Sequence, residues 1–244
     1  MYLARANTKK ERLWIMKKKN VKLFFVGVGL LMAFVIWTVL VCFVDVRAIG
    51  PRGSSVGFAA LNGYVHSLTG VNMSLYAVTD WLGLVPIGVA FGFAVVGLVQ
   101  LIKRKSLLKV DRGILALGGF YVVVMAVYIL FEKVVINYRP TLIEGYLEAS
   151  YPSSTTMLVM CVMPTAMIQL RPRIKSVTLR RCVMAAITVF IAFMVVGRLL
   201  SGVHWITDII GGALFSAAVV LIWCASIYTR KPLTCTTKKS ICFS

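Results

Sequence analysis

Arg198, His204 and Asp208 stand within GRLLSGVHWITDIIGG, residues 197–212, between two strongly apolar runs of a 244-residue chain. An imidazole and a carboxylate four residues apart share one face of a helix and can touch. A carboxylate bonded to one ring nitrogen fixes the tautomer and leaves the other nitrogen free as nucleophile or base. Such a pair is common by chance. With Arg198 six residues earlier and Arg139 on another loop, a set of unrelated interfacial charges becomes the harder reading, because polar groups at membrane depth are costly unless paired or used.

Two further stretches bear on that set. In EKVVINYRPTLIEGYLEASYPSSTTM, residues 132–157, Arg139 precedes Pro140, a residue that tends to end helices, so Arg139 is expected in a structured loop. In YPSSTT, Pro152 suits the first turn of a helix, and Ser150, Ser153 or Ser154 can cap its free amides. That helix mouth offers N–H groups and a positive dipole end to an anion such as phosphate, although on this hexapeptide alone an ordinary capped start is the better account, because such starts are common. His66, alone in the connection 45–80, reads as an interfacial polar residue before it reads as a ligand.

The elements that must position these groups are membrane helices. Hydrophobic residues make up 59% of the chain and charged ones 14%, against roughly a quarter charged in soluble proteins. Charge-free stretches at 23–44, 81–102, 113–131, 149–170, 182–197 and 209–229 are mostly near the roughly 20 residues that cross a bilayer. The fifth is short, with Arg181 and Arg198 able to snorkel from its ends. The expected fold is therefore all-α, a polytopic six-helix bundle, with a basic arm at 1–22, a six-span domain at 23–229 and a tail at 230–244. Of the 27 Lys and Arg, the stretch to Lys22 and the stretches 103–112, 171–181 and 230–239 hold eight, five, five and four, all on one side if spans alternate. The positive-inside rule puts that side, with both termini, in the cytoplasm and the Arg139, Arg198 and His204 end outside. A basic face against anionic headgroups accounts for the net charge of +19 without a nucleic-acid partner. The first apolar run, longer than a signal-peptide core and lacking a small-x-small cleavage pattern, is expected to remain as a span. Six scattered cysteines form no CxxC or Cys/His ligand pattern, so no disulfide or metal site is expected. Apolar residues at 58, 61, 65 and 68 predict a short interfacial helix.

The Arg-Pro pair at Arg139, Pro-Ser-Ser at 152–154, and Arg198, His204 and Asp208 at their spacing resemble the three-part signature of the type 2 phosphatidic acid phosphatase family of membrane lipid phosphatases. The resemblance runs from the third predicted span to the sixth. It implies a phosphatase that needs no metal or other cofactor, acting on a lipid phosphate held in the bilayer. It also implies roles: His204 attacks phosphorus to form a phosphohistidine, Asp208 orients it, and Arg139, Arg198 and a lysine hold the phosphoryl oxygens with Ser153, Ser154 and the amides of the fourth span. Phosphoryl transfer rests on positioning and charge neutralisation, which arginine forks supply.

Three positions depart from that pattern. The lysine expected seven positions before Arg139 is Glu132, with Lys133 one residue closer, and one residue turns a helical side chain by about 100°. Gly197 replaces the serine before Arg198. Thr155 replaces the histidine that serves as general acid, and threonine does not donate protons near neutral pH. Tyr138, Tyr151, His66, Lys133 or water remain as substitutes, without a spacing argument for any. Expelling an alkoxide resembles expelling hydroxide from water, whose pKa is about 15.7. Expelling a phosphate whose second pKa is about 6 is far easier. The missing acid therefore points to a lipid diphosphate, of which undecaprenyl diphosphate is the bacterial example by family analogy. Binding or carrying a lipid phosphate without turnover, or cleaving a monophosphate with another acid, are the alternatives.

Overall fold

The computed structural model describes residues 9–228. The expected tail at 230–244 and the first eight residues of the basic arm lie outside that range. Within it the chain is all helical: α1 (Lys9–Phe43), α2 (Ala59–Thr69), α3 (Met73–Leu82), α4 (Leu84–Arg104), α5 (Arg112–Lys133), α6 (Ser154–Leu170), α7 (Val177–Leu200) and α8 (Ile206–Tyr228). Five segments are long and apolar enough to cross a membrane: Lys18–Phe43, Met73–Arg104, Arg112–Lys133, Val177–Leu200 and Ile206–Ile227. The chain is a multi-pass membrane protein on that composition and length.

Several boundaries move from where charge alone sets them. The expected arm and first span are one continuous helix from Lys9. The fifth stretch, 16 residues by its charge-free limits, becomes the 24-residue α7, because Arg180, Arg181 and Arg198 are inside the helix. The fourth, expected from residue 149, starts at Ser154 and has 17 residues. Pro152 thus precedes the helix instead of opening it. The interfacial helix at 58–68 is found as α2, and a separate helix, α3, precedes α4 where none is predicted.

Helix α6 is the axis of the bundle, packed by α4, α5, α7 and α8, with α1 running along α8. Phe34, Leu117, Phe120, Tyr151, Met157, Phe215 and Trp223 form the core between α1, α5, α6 and α8. Close approach needs small residues. A Cβ on Gly27 of α1 would lie 3.0 Å from Ala218 O, and one on Gly211 of α8 would lie 2.6 Å from the Tyr151 ring. At one end, Gln100 of α4 holds Asp111 at the start of α5, and Gln169 of α6 reaches Gly113 O. The basic stretches 103–112 and 171–181 gather at that end. The opposite end joins the starts of α6 and α8 to the close of α7 and the loop after α5.

Candidate functional site

Helix α8 begins just after His204, so His204 and Asp208 do not share a helical face, contrary to the sequence expectation. Their contact comes from how the helix is capped. Asp208 sits at the third helical position and its Oδ2 accepts from Trp205 N at 2.8 Å, the carboxylate half of a capping box. This turns the same oxygen toward His204, whose Nδ1 is 3.6 Å away. Asn62 of α2 steadies the turn, accepting from Thr207 N at 3.3 Å and donating to Thr207 Oγ1 at 3.0 Å.

Ser150 completes the arrangement. It was expected as one of three possible caps of the fourth span, but its Oγ lies 3.1 Å from His204 Nδ1 and donates to Asp208 Oδ2. Ser153 is the actual cap, with its Oγ accepting from Thr156 N at 3.5 Å. Its own N–H donates to Asp208 O at 3.1 Å, which fastens the start of α6 to α8. Ser154 and Thr155 follow in the first turn, where a helix has no acceptors of its own for the amides. Imidazole and carboxylate are enclosed, at 3% and 0% exposure, and His204 Nε2 has no partner among the described residues. Burial, with the Arg139 and Arg198 charges beside it, holds the imidazole well below its ordinary 6.5. A neutral ring with one nitrogen engaged and the other free is the form a nucleophile requires.

The two arginines come from separate elements. Arg198, in the last turn of α7 and 1% exposed, donates to Thr155 Oγ1 at 2.7 Å, Asp80 Oδ1 at 3.1 Å and Thr79 Oγ1 at 3.4 Å. Arg139 lies in the loop after α5 with its Nε 3.1 Å from Glu148 Oε2. Both guanidiniums approach the ring of Tyr76 on α3, at 5.0 Å for Arg198 and 5.9 Å for Arg139. Thr155, in the position of the expected acid, is thus an acceptor for Arg198.

A cavity of ≈ 300 Å³ is lined by Arg139, Glu148, Ser150 and Ser154 together with Tyr128, Phe131 and Glu132 of α5. Ser150 is therefore the link between the cavity and the imidazole. Lys133 closes α5 as an exposed residue and does not line the cavity, because the helix continues regularly through it and presents Glu132 instead. Of the substitute donors, Tyr151 lines the cavity, but its hydroxyl is engaged 2.7 Å from Thr38 Oγ1. Tyr138 offers its carbonyl to Trp205 Nε1 at 2.7 Å. His66 packs on the Trp205 ring at 5.4 Å, and its partial burial lowers its pKa. Tyr76, Thr79 and Asp80 escaped sequence reasoning because they reach Arg198 across more than a hundred residues without a local motif. Asn62 is another such case.

Residues 116–232 match the model of the PAP2 superfamily. A solved structure described as the first transmembrane PAP2 type phosphatidylglycerolphosphate phosphatase from Bacillus subtilis superposes with a TM-score of 0.49 at 19% identity, covering 83% of this chain and 94% of that one. No curated protein matches the chain.

Proposed function

We propose that this chain, whose residues 116–232 match the PAP2 superfamily model, is a member of that superfamily and a membrane lipid phosphatase that cleaves a lipid diphosphate through a phosphohistidine. The supporting observation is the buried His204 ring, engaged at Nδ1 by Ser150 and Asp208 and unpartnered at Nε2, beside two guanidiniums. Nε2 forms a bond to phosphorus as the bond to the lipid-side oxygen breaks, and Asp208 stabilises the charge that develops on the ring. Arg139, Arg198 and the first-turn amides of α6 hold the phosphoryl oxygens, so fixed cations do what a divalent ion does in other phosphoryl-transfer sites. Water then attacks the phosphohistidine, releasing phosphate and restoring the imidazole.

Thr155 bears on the substrate. Its hydroxyl holds Arg198 and is no proton source. A leaving group that departs unprotonated is then favoured, and a lipid monophosphate of the undecaprenyl kind departs from its diphosphate far more readily than an alkoxide departs from a monophosphate. In this reading α6 and the extended residues before it make the sixth crossing of the domain at 23–229. The basic end is cytoplasmic with both terminal segments, and the cavity opens to the outer leaflet, where a lipid phosphate resides.

The test is phosphate release by the purified protein, with chelator present, from a polyprenyl diphosphate and from the matching monophosphate, beside His204→Ala. Release from the diphosphate alone, abolished in the variant, is expected. Equal release from both substrates would remove the diphosphate assignment. Binding of either lipid without release would make the chain a lipid-phosphate binder instead of an enzyme.

A further inference from the structure

Helix α3 lies outside the stretch that matches the family, yet it supplies three of the contacts around Arg198. We propose that α3 is part of the phosphate site and that Tyr76 is a positioning residue, its ring gathering the Arg139 and Arg198 guanidiniums so that both meet one phosphoryl group. This rests on the phosphate-binding role proposed above for the two arginines.

Two like charges brought together in a poorly hydrated site repel, and the repulsion grows as water is excluded. Something must hold them at working distance before an anion arrives. An aromatic face attracts a guanidinium through the ring quadrupole, more strongly when the pair is desolvated. Tyr76 meets both cations, at 5.0 and 5.9 Å from its centroid, and no other aromatic ring among the described residues does so. Each arginine also meets one carboxylate, Asp80 on Arg198 and Glu148 on Arg139. Those carboxylates are 57% and 41% exposed, so water screens them. Tyr76 is the shared element, because each carboxylate serves a single arginine.

The backbone is arranged to admit α3. A Cβ on Gly197, one residue before Arg198, would stand 2.8 Å from Thr79 Cγ2. The glycine at the position of the expected serine is therefore a point of close approach between α3 and α7. Just beyond, Asn72 N donates to Ser201 O at 2.9 Å. Gly202, at φ +66°, leaves room for Gly70 O, which would lie 1.8 Å from an added Cβ. These two contacts fix the start of α3 against the α7–α8 turn, and one helical turn later Tyr76 reaches the arginines.

The experiment uses the full chain in detergent micelles, with inorganic phosphate as the probe and isothermal calorimetry as the readout, beside KM and kcat on the diphosphate lipid. Tyr76→Leu and Tyr76→Met remove the ring face and are expected to weaken phosphate binding about tenfold and raise KM in step, with kcat changed less than about threefold. Tyr76→Phe keeps the face and is expected to stay within about twofold of the unmodified protein. Should the ringless variants fail to fold, fluorinated phenylalanines at position 76 drain electron density from the ring at nearly constant volume, and phosphate affinity is expected to fall stepwise with fluorine number. Unchanged affinity in the ringless or the fluorinated proteins overturns the role of Tyr76 alone. A loss in Tyr76→Phe as large as in Tyr76→Leu also overturns it, because the hydroxyl and not the face would then matter. If the unmodified protein binds no phosphate, the reading of the two arginines fails first and this inference with it.

Discussion

Helix α8 and the segment Met73–Arg104 both serve the same cluster of polar residues, but the bundle encloses them very differently. Half of the most apolar window of α8 is buried among its neighbours, against 6% for the window within Met73–Arg104. Around α8, closeness is built from glycines facing a ring and a backbone: Gly211 against Tyr151 and Gly212 against Ser153 O. Around α3, it rests on one close approach at Gly197 and a few polar bonds near the helix ends, while most of the segment is left uncovered by its neighbours. The enclosed region carries the imidazole and its carboxylate, whose geometry tolerates little error. The open region carries contacts to the arginines.

If that division is right, the largest effect belongs to the enclosed region. Asp208→Ala strips the acceptor from Ser150 Oγ and Trp205 N at once and leaves the His204 tautomer unfixed. A fall in kcat of about 10³- to 10⁴-fold is expected, by analogy with the loss of an orienting carboxylate elsewhere. Measured kcat within tenfold of the unmodified protein would show that Ser150 alone orients the ring, and would shift the precision of the site from α8 to the segment before α6.

A pair of glycine substitutions sharpens the contrast at the level of stability. Gly211→Val drives a side chain into the Tyr151 ring and is expected to destabilise by about 1–3 kcal/mol through overpacking. Gly88→Ala on α4 meets nothing within 4 Å and is expected to be neutral or stabilising by under about 1 kcal/mol. Thermal unfolding of both variants in one detergent checks this. Equal losses would mean that α4 is packed by something beyond this chain.

How much of this was legible in the sequence divides along the same line. Arg139, Arg198, His204 and Asp208 declared themselves as charges bordering apolar runs, and the structure gathers them at one end of the bundle. What brings them together was hidden. Spacing placed His204 and Asp208 on one helix, but the carboxylate is satisfied by capping, so the helix starts between them. Ser150 reads as a cap from its neighbours, and only the fold turns it toward the imidazole 54 residues on. Splitting the chain at its charges shortened α7, since arginines at helix ends reach polar surroundings while their backbone stays helical. It also missed α3, which carries Asp80 in its last turn and is too short to stand out as a span. Two partners of Arg198, Asp80 and Thr79, are 118 and 119 residues away, and no local rule reaches that far.

The smallest expected effect is a near absence of titration. The chain has two histidines, the half-buried His66 on α2 and the enclosed His204, and both are lowered from 6.5 by burial, His204 well below it with the two arginine charges adding to the effect. A proton that the folded state refuses is taken up by the unfolded chain, so His204 contributes a loss of stability as pH drops through 6.5 toward its own lowered value. The imidazole stays neutral over that same interval, and the proposed nucleophile is retained where an ordinary histidine would be half protonated. In a His66→Gln background, nitrogen-15 spectra of the single remaining imidazole should show little protonation at pH 6.5, while the unfolding midpoint falls as the pH is lowered. Half protonation at pH 6.5 would mean that water reaches the ring. The enclosure that separates α8 from the segment Met73–Arg104 would then be weaker around His204 than its burial implies.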